Sequence, residues 1–187
     1  MNITRRHILP LVAVAMMAAV PVLSSCDDDD DQSKNWETYK EWREDNQAWF
    51  DAQAAATGAD GQSLFKKYTP SYNAAGTFLM RFIGDPAENA GNLQPLFTST
   101  ATVNYQVHLY DGTRIDSAAN YTSQLSSVYL IAGWSEMIMR MHVGDSIEAI
   151  LPYGLGYGST GSTSVNPYSA LRFNIRLTDV PTYVVRP

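Results

Sequence analysis

The stretch from Val128 to Gly161, VYLIAGWSEMIMRMHVGDSIEAILPYGLGYGSTG, decides how this chain folds. Its first half places large apolar side chains at spacings of three and four: Trp134, Met137, Ile138 and Met141. Such spacing predicts a short helix between Ala132 and Met141 with one apolar face. A strand is predicted over Ser146–Leu151, and a glycine-rich loop carrying Tyr157 follows it. The stretch therefore predicts a helix, a strand and a loop in close succession.

The sequence on both sides of this stretch alternates between apolar and polar residues, which is typical of half-buried strands. The first alternating segment, residues 101–109, places these apolar residues on one face: Val103, Tyr105, Val107 and Leu109. The last long segment does the same with Leu171, Phe173, Ile175 and Leu177. Asp111-Gly112 predicts a tight turn into a returning strand, and Thr77–Ile83 predicts an earlier strand. One short helix among several antiparallel strands predicts an α+β fold, in which the helix covers a curved sheet.

The composition of the chain limits its size class and its partners. It has 187 residues and a formal net charge of −6, which fits one domain with appendages and argues against nucleic acid as a partner. No cluster of lysine and arginine occurs anywhere in the sequence. Cys26 is the only cysteine, so no internal disulfide can form.

The N-terminus has the pattern of a bacterial lipoprotein signal. Two arginines precede an apolar run over Ile8–Val22, which is short for a transmembrane helix. Leu23-Ser24-Ser25-Cys26 resembles a lipobox, in which the cysteine becomes the acylated first residue. We therefore predict a signal peptide over 1–25, lipidation of Cys26, and an extracytoplasmic protein anchored to a membrane, expected to be the outer one, on its periplasmic or its surface side. The alternative is an ordinary secretory signal that happens to contain a cysteine.

Consecutive aspartates, Asp27–Asp31, follow the cysteine. Their mutual repulsion predicts an extended, solvated tether over 26–32. A sharper interpretation stays open beside this one. An acidic run directly after a lipidated cysteine resembles the surface-export signal of lipoproteins in some gut-dwelling Gram-negative bacteria.

Residues 33–57 predict an amphipathic helix, with Ser33 as its N-cap and Gly58 as its stop. Its aromatic side chains fall on one stripe: Trp36, Tyr39, Trp42, Trp49 and Phe50. Tryptophans on such a stripe gain most when they are buried, so the helix is expected to dock, with its own domain as the preferred surface. Self-association and contact with a client protein stay open as alternatives.

The segment that follows, Gly58–Gly76, is rich in small and polar residues. We interpret it as a connector, within which Leu64-Phe65 and Tyr68 suggest a second short helical piece. The chain thus divides into a signal peptide, a tether, a helix with its connector over 33–76, and a folded domain over 77–187.

Several blocks of this last domain form a recognisable set. They are VNYQVHLYDGTRIDS at Val103–Ser117, LIAGW at Leu130–Trp134, MHVG at Met141–Gly144, YGLGYGSTG at Tyr153–Gly161 and NPYSALRF at Asn166–Phe173. The order and spacing of these blocks resemble those of the FKBP-type peptidyl-prolyl cis-trans isomerases. The resemblance covers Thr102–Val180 closely and extends more loosely back to Thr77.

The resemblance implies an antiparallel sheet wrapped around one short helix, with an apolar pocket between them. Some residues fall on the family's catalytic positions: Tyr105, Asp116, Ile131, Trp134, Tyr157 and Phe173. Others fall on its substrate-binding positions: Ile115, Tyr121, Leu130 and Val165. In the family's arrangement, Trp134 forms the floor, while the Tyr157 hydroxyl and the Ile131 N–H hold substrate carbonyls. Asp116 polarises the pocket near the prolyl amide.

The chain departs from the family pattern at several positions. Ile115 and Tyr121 stand where phenylalanine is usual, and Met137 stands in the helix where glycine is usual. The loop after Gly161 is polar, lacks a common histidine, and has Val165-Asn166-Pro167 in place of I-P-P. The sequence preference of the pocket and its affinity for macrolides therefore stay open.

The resemblance predicts an enzyme that isomerises prolyl bonds in exported polypeptides, without a metal or cofactor. A non-catalytic chaperone or binding lipoprotein of the same fold is the alternative. Gly156–Gly161 also fits the dinucleotide pattern G-x-G-x-x-G, but a polar loop ending at Pro167 follows it where a helix is required. The histidines have no metal-ligand spacing.

Overall fold

The computed structural model describes residues 34–71 and 76–183. The predictions for the signal peptide, for Cys26, for the acidic tether and for the N-cap Ser33 lie outside these residues. Within the described ranges, no helix combines the length and the apolar character needed to cross a bilayer.

The core of the molecule is a six-stranded antiparallel sheet. Its strands are β1 (Lys66–Tyr68), β2 (Phe78–Phe82), β3 (Thr100–Leu109), β4 (Arg114–Gln124), β5 (Ser146–Leu151) and β6 (Leu171–Thr182). They lie in the order β1-β2-β5-β6-β3-β4. The described helices are α1 (residues 34–38), α2 (Lys40–Ala55) and α3 (Ala132–Ile138). The α+β architecture expected from the sequence is confirmed.

The neighbouring strands β3 and β6 carry the alternation that the sequence predicted. Val103 and Val107 of β3 are buried, as are Phe173, Ile175 and Leu177 of β6. The register pairs Val107 with Phe173 and places Tyr105 opposite Ile175. Because side chains alternate across a strand, this register gathers the apolar set on the face that α3 covers.

Helix α3 lies very close to the sheet. Every residue from Gly133 to Ile138 is buried, and a Cβ added at Gly133 would come within 2.3 Å of Leu151 in β5. Only glycine permits that approach, because any larger residue overlaps the leucine side chain. The predicted helix is confirmed, although it ends at Ile138 and Met141 is buried by the turn that follows.

The aromatic helix docks on its own domain, as expected. Trp49, Phe50 and Ala54 of α2 pack against a small buried cluster formed by Phe65, Leu79 and Ile150. Leu79 and Ile150 face away from α3, so α2 and α3 cover opposite faces of the sheet. The single helix predicted over 33–57 is interrupted at Tyr39, whose backbone leaves the helical conformation, so residues 34–38 form α1 and Lys40–Ala55 form α2. Helix α2 ends before the predicted stop at Gly58, because Ala56 already has extended backbone angles.

The prediction of a second short helical piece around Leu64, Phe65 and Tyr68 was wrong. Lys66–Tyr68 is the edge strand β1, and it pairs with β2 through Lys66↔Met80 and Tyr68↔Phe78. Phe65 is buried beneath α2, and an extended backbone places Lys66 and Lys67 in solvent. The segment interpreted as a connector therefore contributes one strand to the sheet.

Replacing Gly133 with alanine should lower the free energy of unfolding by about 1–3 kcal/mol, because the new methyl group would overpack the buried contact with Leu151. Urea denaturation followed by tryptophan fluorescence measures this change. Gly91→Ala is a matched control, since a Cβ at Gly91 meets nothing within 4 Å. Equal stability of the two variants would contradict the close approach of α3 to β5.

Candidate functional site

A cavity of about 160 Å³ lies between α3 and the sheet. Its lining residues come from β3, β4, β6, the start of α3 and the loop after Leu155: Tyr105, Val107, Ile115, Asp116, Tyr121, Tyr129, Leu130, Ile131, Trp134, Tyr157 and Phe173. The structure thus brings together all the site residues predicted from the sequence except Val165. A larger hollow of about 600 Å³ lies elsewhere on the sheet, but it is open and has residues such as Asn104 and Arg176 in its lining.

Trp134 forms the floor of the cavity. Its side chain is 5 % exposed, and its ring meets Tyr105 edge-on at 5.2 Å and Phe173 at 6.1 Å. The indole N–H donates to the Ser123 hydroxyl oxygen at 3.2 Å. Because this hydrogen bond occupies the one polar atom of the indole, the ring presents an apolar surface to the cavity.

One wall of the cavity carries a fixed carboxylate. The Tyr105 hydroxyl donates to Asp116 Oδ2 at 2.6 Å, and the Ser117 N–H donates to Asp116 Oδ1 at 2.7 Å. Burial raises the pKa of Tyr105, and the hydrogen bond and negative charge of Asp116 raise it further. Tyr105 therefore stays protonated and holds the carboxylate in one orientation.

Two hydrogen-bond donors stand at the mouth of the cavity. Tyr157 is 40 % exposed, and its pKa is raised by burial and then by the charge of Asp116, so its hydroxyl keeps its proton. Ile131 is the N-cap of α3, and its carbonyl accepts the Trp134 N–H at 3.0 Å. Within residues 34–71 and 76–183, the Ile131 N–H itself has no acceptor.

Val165 lies outside the lining of the cavity, unlike the other residues on family pocket positions. Its side chain is buried in the main core, and its carbonyl accepts the Ser162 N–H at 2.7 Å. Gly161, with φ +73°, allows this turn, because a Cβ there would lie 2.5 Å from the Val165 oxygen. The polar loop thus folds Val165 inward and away from the cavity.

Two lining residues were not among the predicted site residues. Val107 shares the apolar face of β3 with Tyr105, so the alternation of that strand could have assigned it to the cavity. Tyr129 is 95 % exposed and lies in the turn before α3. No periodic signal marks Tyr129, because its position depends on how that turn folds.

The glycine-rich segment is a series of turns, as the sequence indicated. Gly158 and Gly161 have positive φ angles of +66° and +73°, and turns and a bridge follow Gly161 in place of a helix. A dinucleotide-binding segment needs a helix N-terminus at this point. The glycines instead shape the loop that presents Tyr157.

Residues 92–178 match the family model of the FKBP-type peptidyl-prolyl cis-trans isomerases. The chain contains an FKBP-type domain. This match includes α3, all of β3 and β4, and β6 as far as residue 178. The N-terminal helices and the strands β1 and β2 precede it.

Relatives of the FKBP-type domain occur in distant organisms. The macrophage infectivity potentiator of Trypanosoma cruzi is 32% identical over 97 residues, which are 50% of this chain and 50% of that protein. FkpA of Escherichia coli K12, an FKBP-type peptidyl-prolyl cis-trans isomerase, is 28% identical over 136 residues, which are 72% of this chain and 50% of FkpA. The chain therefore spans about half the length of the curated relatives it matches.

Solved structures of similar fold include a peptidyl-prolyl cis-trans isomerase from Pseudomonas syringae pv. tomato. It aligns with a TM-score of 0.60 at 19% identity, over 76% of this chain and 95% of that one. At that identity the likeness establishes the fold of the FKBP-type domain alone.

The pairing of Tyr105 with Asp116 predicts a pH-dependent stability. Burial, and then the hydrogen bond and charge of Asp116, make folded Tyr105 hold its proton more tightly than the unfolded chain does. This contribution to stability is fully present below the ordinary tyrosine pKa of about 10 and is lost as pH rises toward the higher folded pKa. Between about pH 9 and about pH 11, the wild type should lose more unfolding free energy than Tyr105→Phe.

Urea denaturation at a series of pH values measures this difference. Tyr183→Phe serves as the control, because Tyr183 is exposed and lies outside the cavity lining. An equal alkaline loss in wild type and Tyr105→Phe would contradict the assignment.

Proposed function

We propose that the FKBP-type domain catalyses cis-trans isomerisation of prolyl peptide bonds in exported polypeptides. The observation that carries this proposal is the cavity itself, which combines an aromatic floor with one fixed carboxylate and two donors at its mouth. Such a site can bind a polypeptide through its apolar shape, its fixed charge and its hydrogen-bond donors. It requires no nucleophile, metal or cofactor for the reaction.

The chemistry suits an apolar cavity. Rotation about a prolyl amide breaks its resonance, and the barrier is about 18–20 kcal/mol. The planar amide is charge-separated and is stabilised by water, whereas the twisted amide carries less charge on its oxygen. A cavity that replaces water with the Trp134 and Phe173 rings therefore makes the free-energy difference between the planar and the twisted amide smaller than it is in water.

Each polar group has a role that follows from its position. The Tyr157 hydroxyl and the Ile131 N–H would donate to carbonyls that flank the proline, and so hold the chain in a turn. The Asp116 carboxylate, oriented by Tyr105, would polarise the cavity near the prolyl amide while the amide carbonyl rotates. Preorganised groups of this kind cost no reorganisation when the bond turns.

The turn before α3 extends the apolar surface beyond the cavity. Val128 is 89 % exposed and Tyr129 is 95 % exposed, and Tyr129 also borders the cavity. Adjacent exposed apolar side chains favour contact with another chain. We propose that they contact apolar residues next to the proline, which suits unfolded clients more than native ones.

Substitutions at the mouth and at the wall of the cavity should lower activity without unfolding the protein. We expect Tyr157→Phe and Asp116→Asn each to reduce kcat/KM by about tenfold, since each removes one polar interaction worth about 1–1.5 kcal/mol. A protease-coupled assay on an Ala-Leu-Pro-Phe tetrapeptide measures the rate, and Tyr183→Phe is the control.

Wild-type protein that is folded by circular dichroism but no faster than buffer would contradict the enzyme proposal. If that protein also suppressed aggregation of an unfolded client, the result would favour the non-catalytic chaperone.

We propose further that Cys26 carries a lipid and that the FKBP-type domain lies outside the cytoplasm. The lipobox-like sequence before Cys26 and the apolar run over Ile8–Val22 support this placement. An acylated cysteine gains about 0.8 kcal/mol of membrane affinity for each buried CH₂ group.

Metabolic labelling with an alkyne fatty acid in a Gram-negative host tests the anchor. The wild type should take up label, and Cys26→Ser should take up none. Label retained by Cys26→Ser, or absent from the wild type, would contradict lipidation at this residue.

A further inference from the structure

The N-terminal helical segment, residues 34–55, contacts the loop over 156–170, which carries Tyr157. Asn46 of α2 is 2 % exposed, and both ends of its amide are bonded. Its Oδ1 accepts the Ala170 N–H at 2.8 Å, and its Nδ2 donates to the Trp42 carbonyl at 2.7 Å. A buried, fully bonded amide between two segments fixes their relative position, because either segment moving away would leave polar atoms unsatisfied.

Further hydrogen bonds attach both ends of the loop to this segment. The Trp42 indole N–H donates to the Ser169 hydroxyl at 3.0 Å, and that hydroxyl donates to the Asn166 carbonyl at 2.7 Å. The Asn35 amide donates to the Ser159 carbonyl at 3.1 Å. Ser159 lies two residues after Tyr157, so these contacts extend almost to the mouth of the cavity.

The C-terminal part of the loop contains a strained residue. Tyr168 has a φ of +62°, a left-handed conformation that is rare for a bulky side chain and persists only where the surroundings enforce it. Its ring is 5.6 Å from Trp36 and 5.2 Å from Tyr153, both edge-on. Its N–H donates to the Gly158 carbonyl at 2.9 Å, which ties this conformation to the residue after Tyr157.

Trp36 is itself held in place by α2. The Arg43 guanidinium lies 3.2 Å from the centre of the Trp36 ring, and its Nη1 donates to the Trp36 carbonyl at 2.7 Å. A cation over an aromatic face is attractive. Arg43 therefore keeps the tryptophan against Tyr168, although Trp36 is 47 % exposed.

We propose that the N-terminal helical segment positions Tyr157 for catalysis by holding the loop over 156–170 in its strained conformation. Asn46 and Trp42 are positioning residues in this scheme, since neither lines the cavity. The segment also precedes the part of the chain that matches the family model. The effect of this segment on catalysis rests on the proposed isomerase function, whereas the effect of the segment on the order of the loop does not.

The same helix supplies an internal control. Trp49 of α2 packs near Phe65, Leu79 and Ile150 and belongs to a different cluster from the loop contacts. A substitution there weakens the docking of α2 without removing a hydrogen bond to the loop. Comparing Trp49→Phe with Trp42→Phe thus separates a general loss of stability from a loss of loop positioning.

The experiment compares Asn46→Ala, Trp42→Phe and Trp49→Phe in the full chain, purified in detergent. Hydrogen exchange of the Tyr168 and Ala170 amides reports loop opening, and steady-state kinetics on the Ala-Leu-Pro-Phe tetrapeptide separate KM from kcat. We expect Asn46→Ala and Trp42→Phe to exchange about tenfold faster at these amides. Their kcat/KM should fall by about tenfold, mainly through a higher KM, because Tyr157 would bind the substrate less often in the right place.

Trp49→Phe should lower the denaturation midpoint while leaving both loop exchange and kcat/KM at wild-type values.

Unchanged loop exchange in Asn46→Ala and Trp42→Phe would overturn the inference whatever the activity. Faster exchange with wild-type kcat/KM and KM would overturn the positioning role. An inactive wild type would contradict the proposed function instead, and the affinity for the same peptide, measured by calorimetry, would then test the loop's effect on binding.

Discussion

The packing of Trp134 between α3 and the sheet is the interaction on which the rest of the structure depends. Its ring lies against Tyr105 of β3 and Phe173 of β6, and its N–H is bonded to Ser123 of β4. Burying so large a side chain contributes strongly to stability, and it requires the close helix approach that Gly133 permits. The surface of the ring that the sheet leaves uncovered becomes the floor of the cavity, so one side chain both holds the fold together and forms the site.

The polar groups of the site follow from this arrangement, because an apolar floor leaves room for charge only at the edges. Asp116 stays at the wall, where the Tyr105 hydroxyl and the Ser117 N–H orient it. Burial and the nearby carboxylate keep Tyr105 and Tyr157 protonated. The cavity therefore offers donors at its mouth and a fixed negative charge at one wall, while its floor excludes water. The N-terminal helices also contribute to the site, because they contact the loop on which Tyr157 lies.

Much of this could be predicted from the sequence, for identifiable reasons. Alternation along β3 and β6 predicted their buried faces, because strand periodicity is a local property. The cavity residues came from the family resemblance, since no local pattern places Asp116 beside Trp134. The edge strand β1 was mistaken for helix because its three residues are too few to show a period, and its pairing with β2 is non-local. Val165 and Tyr129 depended on turn geometry, which folds the first into the core and leaves the second at the cavity edge.

The proposed mechanism requires a prolyl residue to bind on Trp134 and to isomerise there. Exchange NMR of a Leu-Pro-Phe peptide at equilibrium, with substoichiometric protein, measures both the binding and the isomerisation of the proline in one sample. Catalysis at Trp134 should give cis-trans exchange cross-peaks that are absent without protein, together with intermolecular NOEs between the proline ring and the Trp134 indole. Exchange no faster than in buffer, or NOEs from the proline to residues outside the cavity, would contradict it.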